Sequence, residues 1–220
     1  MNGPITDQSK NQISENIQIK DVFNAPSLMN SPQKLVLFSL ILGLSPKTYV
    51  EIGTAKGGSA SIVSQAADLL QSDLAGVCID IRFDRLAPEL RAHLENRFKF
   101  IERANGSIAM HEARKHCGAT FDIVLIDALH DKANALFDIL TVLPHVSDGG
   151  VILLDDANYF GVDDAVEEVL RITNLQDGGL VSRHGGIGAP EKAPSWVMID
   201  EKTRTSKECV WGGLRLLRKP

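Results

Sequence analysis

The chain is short of cysteine. Its 220 residues hold three, Cys78, Cys117 and Cys209, far apart and with no C-x-x-C pair. Neither a zinc site nor a disulfide framework is indicated, and a reducing, cytoplasmic setting is expected. Positive charge is also scarce: the formal net charge is -5, which argues against a nucleic-acid partner held by bulk electrostatics. No apolar run is long enough for a membrane. The stretch LVLFSLILGL, Leu35 to Leu44, falls well below the roughly 20 residues a spanning helix needs and reads as a buried helix. The N-terminal stretch MNGPITDQSKNQISENIQIK lacks the charged-then-apolar order of a signal peptide. Internal repeats and low-complexity tracts are absent as well.

What remains is an ordinary soluble composition, 44% apolar and 23% charged, long enough for one sizeable core. Residues 1–20 read as a flexible tail and 21–220 as a single domain. A helix is predicted from near Ser31, with Pro32 in its first turn, to Leu44. Strand candidates follow at 48–53, 75–80, 98–103, 121–127 and 149–156, with helical runs between them and another, VDDAVEEVLRIT, after the fifth. Apolar strands alternating with helices predict a doubly wound, Rossmann-like α/β sheet, mostly parallel, with helices on both faces. Two late segments, around GLVSRHG and WGGLRLLRK, predict an antiparallel pair at the C-terminal end. The stretch 185–208 between them has no clear period.

Ligands of such sheets bind beyond the carboxyl ends of the strands. There the first strand runs into VEIGTAKGGSA, in which the lone acid Glu51 precedes a turn built from Gly53, Thr54, Gly57, Gly58 and Ser59. Glycine permits a sharp turn and a close approach by a ligand. The spacing matches neither the dinucleotide fingerprint G-x-G-x-x-G nor a phosphate-binding G-K-[ST] loop. An acid beside the loop repels phosphate and attracts a cationic ligand. Asp80 ends the second strand, where a carboxylate can accept hydrogen bonds from ribose hydroxyls. Ser107, in ANGSI after the third strand, reads as a helix N-cap.

Two further strands end in acids, at Asp127 in FDIVLIDALH and at Asp155 and Asp156 in GGVILLDDAN. Neighbouring strands lie about 4.8 Å apart, so adjacency would gather three carboxylates at one edge. Protons or a cation must relieve their repulsion, and hard oxygen ligands suit Mg²⁺ or Mn²⁺. The bland alternative is one helix-capping Asp and two solvated ones. His130 follows Asp127 by three residues and can face the same crevice as a general base. Alternatively it caps the helix that starts near Asp131.

The acid-glycine turn resembles that of the class I S-adenosylmethionine (SAM)-dependent methyltransferases. Together with IDALH and LLDDAN, it resembles their metal-dependent O-methyltransferase group, and within that the macrolide-sugar and cephalosporin-biosynthesis relatives. The resemblance runs from about Met29 to the end of the fifth strand. It implies that Glu51, Gly53, Thr54, Gly57, Gly58, Ser59, Asp80, Ser107 and Asp127 bind SAM, with Ser107 near the adenine. It implies a metal on Asp127, Asp155 and Asp156, His130 as base, and a hydroxyl of a sugar or polyketide-derived small molecule as acceptor. Ala128 and Leu129 depart from the group, many of whose members carry a small residue and a second acid there. Asp155 stands where some relatives have Glu. A nicotinamide-dependent oxidoreductase and a non-catalytic cofactor-binding protein are the competing readings. The partner set expected is a small molecule, no nucleic acid, no membrane and a possible homo-oligomer.

Overall fold

Side chains alternate across each strand, and here both faces are apolar. In β1 (Thr48–Ile52) Tyr49 and Val50 are both fully buried on opposite faces. Such a strand is stable only with helices on both sides. The computed structural model describes residues 19–103, 106–158, 160–182, 195–199, 206–210 and 212–220. It shows a seven-stranded sheet made of β1, β2 (Ala75–Asp80), β3 (Phe98–Glu102), β4 (Phe121–Ile126), β5 (Val146–Leu154), β6 (Gln176–Ser182) and β9 (Leu214–Arg218), in the order β3-β2-β1-β4-β5-β9-β6. The first five pair in parallel, and β9 runs antiparallel between β5 and β6. The expected Rossmann-like sheet with a C-terminal antiparallel strand is therefore present. Within the stretch 185–208, β7 (Ser195–Ile199) pairs antiparallel with β8 (Ser206–Val210), which runs on to Val210; the rest of that stretch lies outside the described residues.

Two apolar layers flank the sheet. On one side, α1 (Ile19–Asn24), α2 (Ser31–Leu44), α3 (Gly58–Leu69) and α4 (Pro88–Leu94) cover Tyr49, Cys78, Leu125 and Leu153. On the other, α5 (Gly106–Cys117), α6 (Lys132–Val142) and α7 (Phe160–Ile172) cover Val50, Val77, Val124 and Ile152. Each fully buried aliphatic side chain contributes about 1.5–3 kcal/mol. The tail expected over residues 1–20 lies outside the described residues up to position 18, and Ile19 and Lys20 already belong to α1. Among the described residues no helix is long and apolar enough to cross a membrane.

Local signals set the helix ends beside the site. The Asn30 side chain accepts from Gln33 N, and the Gln33 side chain accepts from Asn30 N, a reciprocal cap that starts α2. At α6 the cap is Asp131, which accepts from Asn134 N at 3.1 Å. His130 is therefore not the capping residue.

Candidate active site

The strand order reverses between β1 and β4, and their carboxyl ends open a crevice there. Gly53 is needed at this point. Its φ is +90°, and a Cβ on it would stand 1.9 Å from the Asp127 carbonyl oxygen. Only glycine lets the turn after β1 pass so close to the end of β4. Hydrogen bonds from Gly53 N to Ile79 O, from Asp127 N to Ile52 O and from Asp155 N to Ile126 O carry the parallel ladders just past the strands, lining up four strand ends.

A cavity of about 350 Å³ lies over these ends, and its wall includes Gly53, Ala55, Asp80 and Asp127. Asp80 is held by the turn: its Oδ2 accepts from Ala55 N at 2.8 Å, and Ala55 takes a left-handed φ of +47° to make that bond. The far wall comes from Ile81, Arg103, Gly106, Phe137 and Asp138, which the sequence reading missed. Asp138 is pushed up to about 6, chiefly by burial and then by Asp131.

Other predicted contacts sit beneath the turn instead of in the cavity wall. Glu51 is fully buried and its Oε2 accepts from the Tyr49 hydroxyl at 2.7 Å. Burial pushes its carboxyl up to about 7, against the opposing pull of the Tyr49, Ser59 and Thr54 hydroxyls. Thr54 and Ser59 are buried too. Gly57 and Gly58 have packing reasons to be glycine: a Cβ on Gly57 would meet Leu86, and one on Gly58 would stand 2.2 Å from Ser27 N. Ser107 lies in the first turn of α5, which starts one residue earlier, so it is not the cap. Its side chain is outside the described residues.

Asp127 belongs to a second constellation as well. One ligand atom each from Asp127, His130 and Asp156 all lie within 4.8 Å of one another. His130 Nε2 stands 3.5 Å from Asp127 Oδ1 and 3.3 Å from Asp156 Oδ2. Asp156 has a left-handed φ of +51°, and its Oδ1 accepts from Gly212 N at 2.5 Å. Asp155 points elsewhere. Its Oδ1 accepts from Gln33 Nε2, and both residues are buried. The predicted trio thus divides, two acids facing His130 and the third facing α2. All three still feel one another. Burial and then Asp156 push Asp127 well above the usual carboxylate range, and burial and then Asp127 do the same to Asp155.

This sheet order, the glycine turn at the reversal point and the crevice above it define the fold of the class I methyltransferases. Residues 50–157, just under half of the chain, match the family described as a methyltransferase domain, which supports reading the chain as a methyltransferase. No curated protein matches it. Among solved structures, the chain is similar to the O-methyltransferase of Bacillus cereus in complex with SAH, at 18% identity and a TM-score of 0.61, covering 96% of this chain and 94% of that one. It is also similar to the O-methyltransferase TomG of Streptomyces achromogenes, involved in tomaymycin synthesis and solved with SAM (18% identity, TM-score 0.58, 96% and 93% covered). A putative caffeoyl-CoA O-methyltransferase from Staphylococcus aureus gives 18%, 0.61, and 93% of both chains. At this identity the likeness speaks for the fold.

Proposed function

We propose that the protein transfers the methyl group of SAM to a hydroxyl oxygen of a small molecule, with a divalent cation, Mg²⁺ or Mn²⁺, beside the reacting atoms. The observation that carries this reading is the double membership of Asp127. It lines the cofactor-sized cavity and also joins the cluster with His130 and Asp156, so the methyl donor and a hydroxyl-activating group would meet at one residue.

Gly53, Ala55 and Asp80 offer the donor a wall of backbone and one carboxylate, which suits its amino-acid and ribose parts. Glu51 lies below the turn, and in its ionised form it adds negative charge that attracts a cationic donor without lining the cavity. Asp127, Asp155 and Asp156 would hold the cation. Two of the three already converge, and hard oxygen donors fit Mg²⁺ or Mn²⁺. When bound, the cation acidifies the acceptor hydroxyl and fixes its direction. His130 would take that proton at Nε2 as the oxygen attacks the methyl carbon. The carbon–sulfur bond breaks, and sulfur leaves as the neutral thioether. The imidazolium so formed would sit between the Asp127 and Asp156 carboxylates, which stabilise it. Sugar and polyketide-derived hydroxyls are the proposed acceptor class, on the likeness of the motifs.

Calorimetry with SAM, SAH and NAD, with and without Mg²⁺, tests the reading. Binding of SAM and SAH but not NAD is expected. Tight NAD binding with no response to SAM would replace it with the nicotinamide reading, and SAM binding without turnover of any hydroxyl would favour a non-catalytic binder.

A further inference from the structure

We infer that Gln33 is a positioning residue for the acidic cluster, and that it carries the hold of the N-terminal α1–α2 segment onto Asp155. The inference rests on the proposed cation site.

The orientation of the Gln33 amide is fixed by its partners. Its Oε1 accepts from Asn30 N at 2.8 Å, so its Nε2 is the end that faces Asp155 Oδ1. An amide N–H there requires an acceptor, and it ties down Oδ1 of an acid that lies close enough to Asp127, Asp156 and His130 to feel their charges. Gln33 is 1% exposed and Asp155 5%, so water cannot easily replace either partner. A buried polar contact of this kind is costly to half-remove.

The turn that carries Gln33 is itself anchored. Lys34 Nζ donates to Phe23 O at 2.9 Å and to Ala25 O at 2.7 Å, locking the end of α1 to the start of α2. Between them, Ser27 packs directly on Gly58 at the start of α3, the helix that follows the glycine turn. Residues 25–33 thus rest on the cofactor turn at one end and on an acid of the cluster at the other. Groups that orient a ligand from behind change metal affinity about 10- to 100-fold when removed.

The test compares Gln33→Met with Asn30→Ala. The first keeps side-chain length and removes the N–H. The second removes the side-chain half of the cap but leaves the backbone N–H that orients Gln33. Mn²⁺ affinity is read by calorimetry, with SAH affinity and the melting temperature measured alongside. Gln33→Met is expected to weaken Mn²⁺ about 10- to 100-fold with SAH affinity within about threefold, whereas Asn30→Ala lowers the melting temperature and keeps Mn²⁺ affinity. Should Gln33→Met not fold, Gln33→Leu, which also removes the N–H and leaves little room for a water, is read in its place with the same expectation. Wild-type Mn²⁺ affinity in the Gln33 variant overturns the inference, as does an equal loss in Asn30→Ala, which would make Gln33 a helix cap alone. A wild-type protein that binds SAH but no Mn²⁺ fails the cation site itself, and the inference falls with it.

Discussion

A carboxyl group buried under a glycine turn is an unusual choice, and Glu51 shows its cost and its use together. Its carboxyl is raised from 4.5 to about 7, mainly by burial. The folded state therefore binds a proton that the unfolded chain has already released between those two values, and stability falls as pH rises through that window. Glu51→Gln keeps an acceptor for the Tyr49 hydroxyl and removes the charge. We expect it to be more stable than the wild type by about 1–3 kcal/mol at pH 8, with the difference shrinking toward pH 5; urea unfolding at the two pH values checks this, and a constant difference would mean that Glu51 is not the titrating group. His130 poses a different question, because its Nε2 lies between two acids that would also hold the cation. As a base, His130→Ala should lower kcat about 10²- to 10⁴-fold while SAH and Mn²⁺ affinities hold. If the variant instead loses Mn²⁺ affinity, His130 is a ligand and the base lies elsewhere.

At the level of elements, the turn after β1 is the part whose geometry leaves least freedom. Gly53→Ala would drive a Cβ into the backbone of Asp127, 1.9 Å from its carbonyl oxygen, at a φ of +90°. Gly57→Ala meets only the tip of the Leu86 side chain, at 2.5 Å, with a φ of +76°. We expect the first to destabilise by about 3 kcal/mol or more and the second by about 1–2 kcal/mol, measured by thermal unfolding; the reverse ranking would contradict the close approach of β1 and β4. Periodicity made most elements legible: β2 spans 75–80, as its apolar run predicted, and the α2 pattern ran from Ser31 to Leu44. Long-range pairing was less legible. Asp155 and Asp156 are neighbours in sequence, yet successive residues leave a strand on opposite sides and Asp156 then turns left-handed, so only one faces His130. The cap signal of Asn30 and Gln33 is local and visible, but nothing local says that the same Gln33 amide also reaches Asp155, 122 positions away. The glycines after Gly53 read as ligand contacts from their place in the motif. The space around them shows that close packing on Ser27 demands Gly58, while a left-handed φ favours glycine at Gly57.

For the whole molecule, the crevice joins two layers that bury little in common besides the sheet, and its acids repel one another across it. Asp127 and Asp155 are both held well above the usual carboxylate range, by burial first and then by Asp156 for the one and Asp127 for the other. The sign of this effect is the same as for Glu51. Below the ordinary carboxylate value both states are protonated and nothing is lost; as pH rises above it the unfolded chain gives up protons that the fold retains, and the folded state loses stability. A divalent cation reverses the balance, because it binds only the ionised acids and displaces those retained protons. The gain in melting temperature on adding Mn²⁺ should therefore be larger at pH 8 than at pH 5.5. A ligand at about 100 times its dissociation constant adds about 2.7 kcal/mol, or roughly 5–10 °C for a domain of this size. SAH, proposed to bind in the cavity that meets the cluster only at Asp127, should stabilise with a much shallower dependence on pH. Parallel melts with Mn²⁺, with SAH and with both would separate the two sites, and a Mn²⁺ gain that is flat across pH would place the cation on surface acids instead of at Asp127, Asp155 and Asp156.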